Sequence, residues 1–184
     1  MKKKSILIAL MLFAALLAPS AHAEGEPLTL LLAGTGADDV FRITLSPDGR
    51  EYRIASEAML EAGGDVCRHP EERMTELACD APSIAGFEVN VLGGNDTVVL
   101  GSNVPIPATL RGGPGRDRLT GGSVADKITG GPGDDVLTGR RGDDLLTGGP
   151  GEDRLVGGPG NDRLQGGPGA DLLIGGPGQN SLLQ

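Results

Sequence analysis

The sequence predicts an all-β chain in which a short, irregular β region precedes a long regular repeat, and three observations lead there. Gly and Pro supply 32 and 13 of the 184 residues, about a quarter, a level that signals low complexity unless a strict period orders it. Such a period begins at Gly112, after which a nine-residue unit recurs to the end of the chain. Between residues 24 and 111, short runs alternate apolar and polar side chains at the strand period of two. With no Trp, one Tyr and three Phe, a core of ordinary globular type is excluded over much of the length. Collagen is excluded too, because Glu71 to Ala78 contains no Gly.

The first 23 residues read as an export signal. Lys2, Lys3 and Lys4 precede an uncharged apolar run from Ile6 to Ala18, and Ala21-His22-Ala23 offers small residues for cleavage before Glu24. The run is too short to span a bilayer comfortably, so no membrane insertion is expected after cleavage. The expected location is periplasmic or extracellular. The whole chain carries 16 basic and 25 acidic residues, a net charge of -9; removing the three leader lysines leaves 13 against 25, a net of -12. With that charge, nucleic acid and anionic membranes are not expected as partners.

In the region 24–111, Leu28 to Leu32 is apolar, and Val40 to Leu45 alternates before a Pro47-Asp48-Gly49 turn and a return strand at Tyr52-Arg53-Ile54. This is the pattern of a hairpin. Its inward face would use much of the scarce aromatic supply. A short helical turn is expected over 57–66, and Phe87 to Val91 alternates again. Cys67 and Cys79 are the only cysteines. In an exported chain they are expected to close a short structural loop worth about 3 kcal/mol. A metal or redox site is the lesser alternative, since the spacing is not C-x-x-C and His69 is the only histidine beyond the leader.

From Gly112 the units are GGPGRDRLT, GGSVADKIT, GGPGDDVLT, GRRGDDLLT, GGPGEDRLV, GGPGNDRLQ, GGPGADLLI and GGPGQNSLL, eight nonads ending at Leu183. The sixth position holds Asp117, Asp126, Asp135, Asp144, Asp153, Asp162 and Asp171, then Asn180; the eighth is aliphatic throughout. A disordered linker has no reason to keep that phase. Ala33 to Phe41 fits the unit through Gly34, Gly36, Asp38 and Val40, and Val91 to Val99 through Gly94, Asp96 and Val98. Both read as degenerate rungs, with Leu100 to Arg111 as a twelve-residue rung leading into the regular array, or alternatively as ordinary β turns rich in Gly and Asp; of the two carboxylates, Asp96 is the better candidate for an N-terminal cap.

The array resembles the RTX, or hemolysin-type calcium-binding, repeat family over residues 112 to 183. The resemblance implies a right-handed parallel β-roll, in which each nonad is a Gly-rich half-turn followed by a short strand and two nonads complete one coil. It gives three segments: leader 1–23, irregular β region 24–111 and roll 112–183. The chemistry agrees. Tight half-turns use Gly at positions one, two and four for positive φ and so expose carbonyls. Calcium is a hard cation that takes six to eight oxygens.

The resemblance also implies the ligand sets. In the first site, Gly113, Gly115 and Asp117 face Gly130, Pro132 and Asp135 eighteen residues on. The next sites would use Gly131, Gly133 and Asp135 with Gly148, Pro150 and Asp153, then Gly149, Gly151 and Asp153 with Gly166, Pro168 and Asp171. The other edge would hold Asp126, Gly142, Asp144, Gly157, Pro159 and Asp162. Val124 at position four, and Arg140 and Arg141 at positions two and three, depart from the pattern around Asp126 and Asp144; Asn180 carries one charge fewer than Asp, or serves as a cap. About four to six calcium ions are expected, with a repeat segment that folds on binding them.

The functional expectation is a secreted calcium-binding protein with a structural, surface or adhesive role, alternatively a partner-binding accessory that uses the roll as a spacer. Catalysis is not expected, because the sequence has no H-E-x-x-H and no G-x-S-x-G.

Overall fold

The computed structural model describes residues 28–57, 67–69 and 75–184. The expected leader and nearly all of the helical turn expected over 57–66 lie outside the described residues. Within them the chain is all-β and winds as a parallel solenoid, regular over residues 87–183.

Two sheets form its walls. The first is parallel throughout, in the order β1 (Leu28–Ala33), β6 (Ile84–Asn90), β8 (Ala108–Arg111), β10 (Lys127–Thr129), β12 (Leu145–Thr147), β14 (Arg163–Gln165) and β16 (Ser181–Leu183). The second begins with the parallel series β15 (Leu172–Ile174), β13 (Arg154–Val156), β11 (Val136–Thr138), β9 (Arg118–Thr120), β7 (Thr97–Leu100) and β2 (Val40–Leu45). It continues antiparallel through β3 (Glu51–Ser56), β5 (Glu76–Asp80) and β4 (Cys67–Arg68).

A strand of three residues can point only its middle side chain inward, and this is why the eighth position is always aliphatic. Leu32, Val89, Leu110, Ile128, Leu146 and Leu164 form one buried row, and Phe41, Val98, Leu119, Leu137 and Leu155 face them. The rows thin out at the last coil, where Leu173 is half-buried and Leu182 is 47% exposed.

At the other end the expected hairpin closes the coil. Its loop is set by Gly49 at φ 73° and by the Ser46 hydroxyl, which donates to Asp48 Oδ1 at 2.6 Å. Tyr52 and Phe87 meet edge to face at 5.0 Å, so three strands and the rare aromatics build a conventional small core where the repeats have not begun. Cys67 and Cys79 face each other across β4 and β5 and are joined by a disulfide.

The first rung differs from its expected phase by one residue. Phe41, not Val40, pairs with Val98 and continues the inward row to Leu119, and Asp39, not Asp38, is the buried sixth-position carboxylate. A one-residue slip exchanges the faces of a strand, so the larger side chain lies inside and Asp38 is left exposed. The rung at 91–99 has the expected phase, with Asp96 and Val98 buried.

These rows predict unequal costs for the same truncation. Leu137→Ala is expected to destabilise the calcium-saturated protein by about 3 kcal/mol, and Leu182→Ala by well under about 1 kcal/mol, as measured by denaturant unfolding.

Candidate functional site: two stacked aspartate columns

The turns joining the two sheets stack with a repeat of eighteen residues, and backbone and carboxylate interlock between coils. Gly113 and Gly115 donate their N–H groups to the carbonyls of Gly130 and Pro132 at 2.8 and 2.9 Å, and Asp117 donates its N–H to Asp135 Oδ1 at 2.8 Å. The same three bonds link Gly131, Gly133 and Asp135 to Gly148, Pro150 and Asp153, and link Gly149, Gly151 and Asp153 to Gly166, Pro168 and Asp171. On the opposite edge Gly142 donates to Pro159 and Asp144 to Asp162, with Arg140 to Gly157 standing in place of a Gly-to-Gly bond. The residues paired by the sequence reading are therefore neighbours.

The glycines serve two different needs. Positions two and four have positive φ, as at Gly131 (122°) and Gly133 (138°), which any Cβ would strain. Position one does not. Gly112 is required by space, because a Cβ there would collide with Asp117 Oδ2 and come within 2.7 Å of the Gly130 carbonyl oxygen. The space where that side chain would be is taken by the carboxylate oxygen and bordered by the carbonyl oxygen. Gly148 and Gly157 repeat it, with Asp153 Oδ2 and the Gly166 carbonyl, and with Asp162 Oδ2 and the Gly175 carbonyl.

Beyond the head of each column, the aspartates have two unlike oxygens. Oδ1 accepts an N–H from the coil before; Oδ2 is buried and accepts nothing at Asp96, Asp117, Asp135, Asp144, Asp153, Asp162 and Asp171. A buried anionic acceptor without a donor is costly, and here it faces other acceptors. Asn180 makes the requirement visible: its Nδ2 occupies the equivalent place and donates to the Gly176 carbonyl at 2.8 Å. Where the residue is Asp, a proton, a water or a cation must sit between those acceptors. Oxygen donors, a concave backbone cradle and stacked negative charge fit a hard divalent cation. Among the described residues no three His, Cys, Asp or Glu side chains converge as a metal cluster, so backbone carbonyls must complete any ligand set.

Several relevant residues carried little signal. Asp39 was hidden by the adjoining Asp38. Ala108 holds the sixth position of the irregular rung, and its N–H donates to Asp126 Oδ1 at 2.7 Å. His69, between the cysteines, has its ring Nδ1 3.0 Å from the Glu76 carbonyl oxygen.

The family described as RTX calcium-binding nonapeptide repeat (4 copies) matches residues 111–146, 120–155 and 147–182. Residues 111–182 are RTX calcium-binding repeats. Comparison with curated proteins and with solved structures gives no match. The RTX repeats form a calcium-binding β-roll module, and beside the position-one glycines of this roll the unpartnered Oδ2 atoms lie near backbone carbonyls.

Burial, with the neighbouring carboxylates adding to it, raises Asp96 to about 6 and Asp135 and Asp144 to about 7; burial raises Asp117, Asp153 and Asp162 as well. Because the folded roll holds these protons more tightly than the unfolded chain, their contribution to metal-free stability is complete below about pH 4. It is lost as pH rises through about 6 to 7. Calcium needs the deprotonated form. Acidification from pH 7.5 to 4.5 is therefore expected to increase β content in chelator and to lower the melting temperature in calcium; circular dichroism in the two buffers checks both signs.

Proposed function

We propose that the chain is an exported calcium-binding protein whose repeat segment takes its order from the ion and serves as a structural, surface or adhesive module. One observation carries this reading: buried Oδ2 atoms without a protein donor recur along both columns close to backbone carbonyls, an array of oxygens that suits a hard cation. Along the first column the ion would be held by Asp117 with Gly113, Gly115, Gly130 and Pro132, and by the corresponding groups about Asp135, Asp153 and Asp171. Along the second it would be held about Asp144 and Asp162 with Gly142, Gly157 and Pro159. About four to six ions fit this arrangement.

Calcium supplies charge neutralisation and fixes the turns. The residues themselves arrange everything else: the position-one glycines make room for Oδ2, the Pro carbonyls at position three accept an N–H from the coil before, and the Asp Oδ1 bonds hold Oδ2 in place. Metal affinity then becomes folding free energy. Weak sites fill outside the cell, where calcium is abundant, and stay empty in the cytosol, which agrees with the export signal read at residues 1–23.

Asp135→Asn separates a metal ligand from a structural residue. The amide keeps the Oδ1 bond and gains the donor that Asn180 uses, so the substitution is expected to raise stability in chelator by about 1–3 kcal/mol. In calcium it is expected to weaken binding at least about tenfold and to reduce the number of ions bound, as read by isothermal titration. Full β signal of the unaltered chain in excess chelator at pH 7.5, together with no heat of calcium binding, would contradict the proposal.

A further inference from the structure

The first turn of each column is closed on itself: Asp39 Oδ2 accepts the Thr35 N–H at 2.6 Å, and at the head of the second column both oxygens of Asp126 are engaged, Oδ1 by the Ala108 N–H at 2.7 Å and Oδ2 by the Gly122 N–H at 2.6 Å. In the regular turns the position-two N–H points to the next coil instead, as Gly113 does to Gly130. In the Asp126 turn Val124 replaces the position-four glycine.

Arg140 lies one coil further on. Its backbone is held at φ 84°, a left-handed conformation that favours glycine, that its counterparts in the regular nonads satisfy with glycine and that Leu92 shares at 70° in the earlier rung. Unlike the exposed Leu92, Arg140 is tethered by its side chain: the guanidinium Nη1 donates to the carbonyls of Leu100 and, at 3.0 Å, Gly121. Gly121 is a position-one carbonyl, the same kind as Gly130 and Gly148. Burial raises Asp126, and the N–H groups of Gly122 and Ala108, with the charge of Arg140, oppose that rise. A delocalised cation with several donors in a rigid fork suits this task better than an ammonium group.

We infer that Arg140 is a tethered cation that closes the head of the second aspartate column, so that the Asp126 turn holds its shape without calcium and gives the roll a metal-independent start. This rests on the reading of the regular turns as calcium sites. In effect the chain supplies from Arg140 and Gly122, at one turn, the positive charge and donors that the regular turns take from the ion. The first regular coil then abuts the hairpin-capped, disulfide-linked end, and ordering by calcium spreads from there toward Gln184.

Hydrogen exchange of the full chain in chelator tests this. Residues 100–130 of the unaltered protein are expected to stay protected while those beyond about 150 exchange freely. Arg140→Gly relieves the backbone strain yet removes the charge. Arg140→Gln keeps the strain and removes the charge, and Arg140→Lys retains a charge. The first two are expected to accelerate exchange over residues 100–130 about tenfold or more, with Arg140→Lys milder. In calcium, Asp126→Asn is expected to bind as many ions as the unaltered chain, whereas Asp153→Asn binds fewer. Free exchange over 100–130 in the unaltered chain, unchanged or slower exchange in Arg140→Gly and Arg140→Gln, or loss of an ion in Asp126→Asn each overturns the inference. Absence of calcium binding by the unaltered chain overturns the calcium reading instead, and the exchange in chelator still decides the role of Arg140.

Discussion

Along each column a backbone N–H donates to the Oδ1 of the aspartate one coil later, from Asp39 through Asp96, Asp117, Asp135 and Asp153 to Asp171, and from Ala108 through Asp126, Asp144 and Asp162 to Asn180. These bonds set the register between coils, and the rest follows from them. With register fixed, the aliphatic eighth positions must stack, the position-two and position-four N–H groups meet the carbonyls of the next coil, and Oδ2 is buried beside the position-one glycine. The side chain that builds the coil is therefore the one that leaves it electrostatically incomplete. A carboxylate does both because its two oxygens act separately.

That division explains why a chain with so little apolar material can afford such regularity. The core of the roll is one aliphatic side chain per strand, too thin to outweigh ordering long Gly-rich turns. The conventional part of the core, with Phe41, Tyr52, Phe87 and the disulfide, is concentrated at the opposite end from the exposed last coil. Stability is thus graded along the axis. On the function proposed above, the capped end buries its side chains without an ion, while the distal coils depend on whatever neutralises the columns.

The regular array was legible in the sequence because a period of nine with Gly, Asp and Leu in fixed places leaves one geometry for stacking, and the pairing of Asp117 with Asp135 followed from it. The hairpin was legible through Pro47-Asp48-Gly49 and alternation. The first rung was mis-phased because Asp38 and Asp39 both offer a carboxylate; only burial of Phe41 decides between them. The need for Gly112 was assigned to backbone conformation, whereas the cause is the oxygen beside it, which no local pattern reveals. Arg140 was visible only as a departure. Its meaning lies in carbonyls forty and nineteen residues away, contacts that exist only once the coil has closed.

The central claim is that Oδ2 of each regular turn is a ligand atom waiting for a hard cation rather than a buried group satisfied by protonation or water. A crystal structure grown in calcium at pH 7.5 tests it most directly. The account predicts an ion beside Gly112, with Asp117 Oδ2 about 2.3–2.6 Å from it and backbone carbonyls completing six or more oxygens. Well-ordered turns with water or nothing at that place, and Asp117 Oδ2 at hydrogen-bond distance from a protein oxygen, would contradict it.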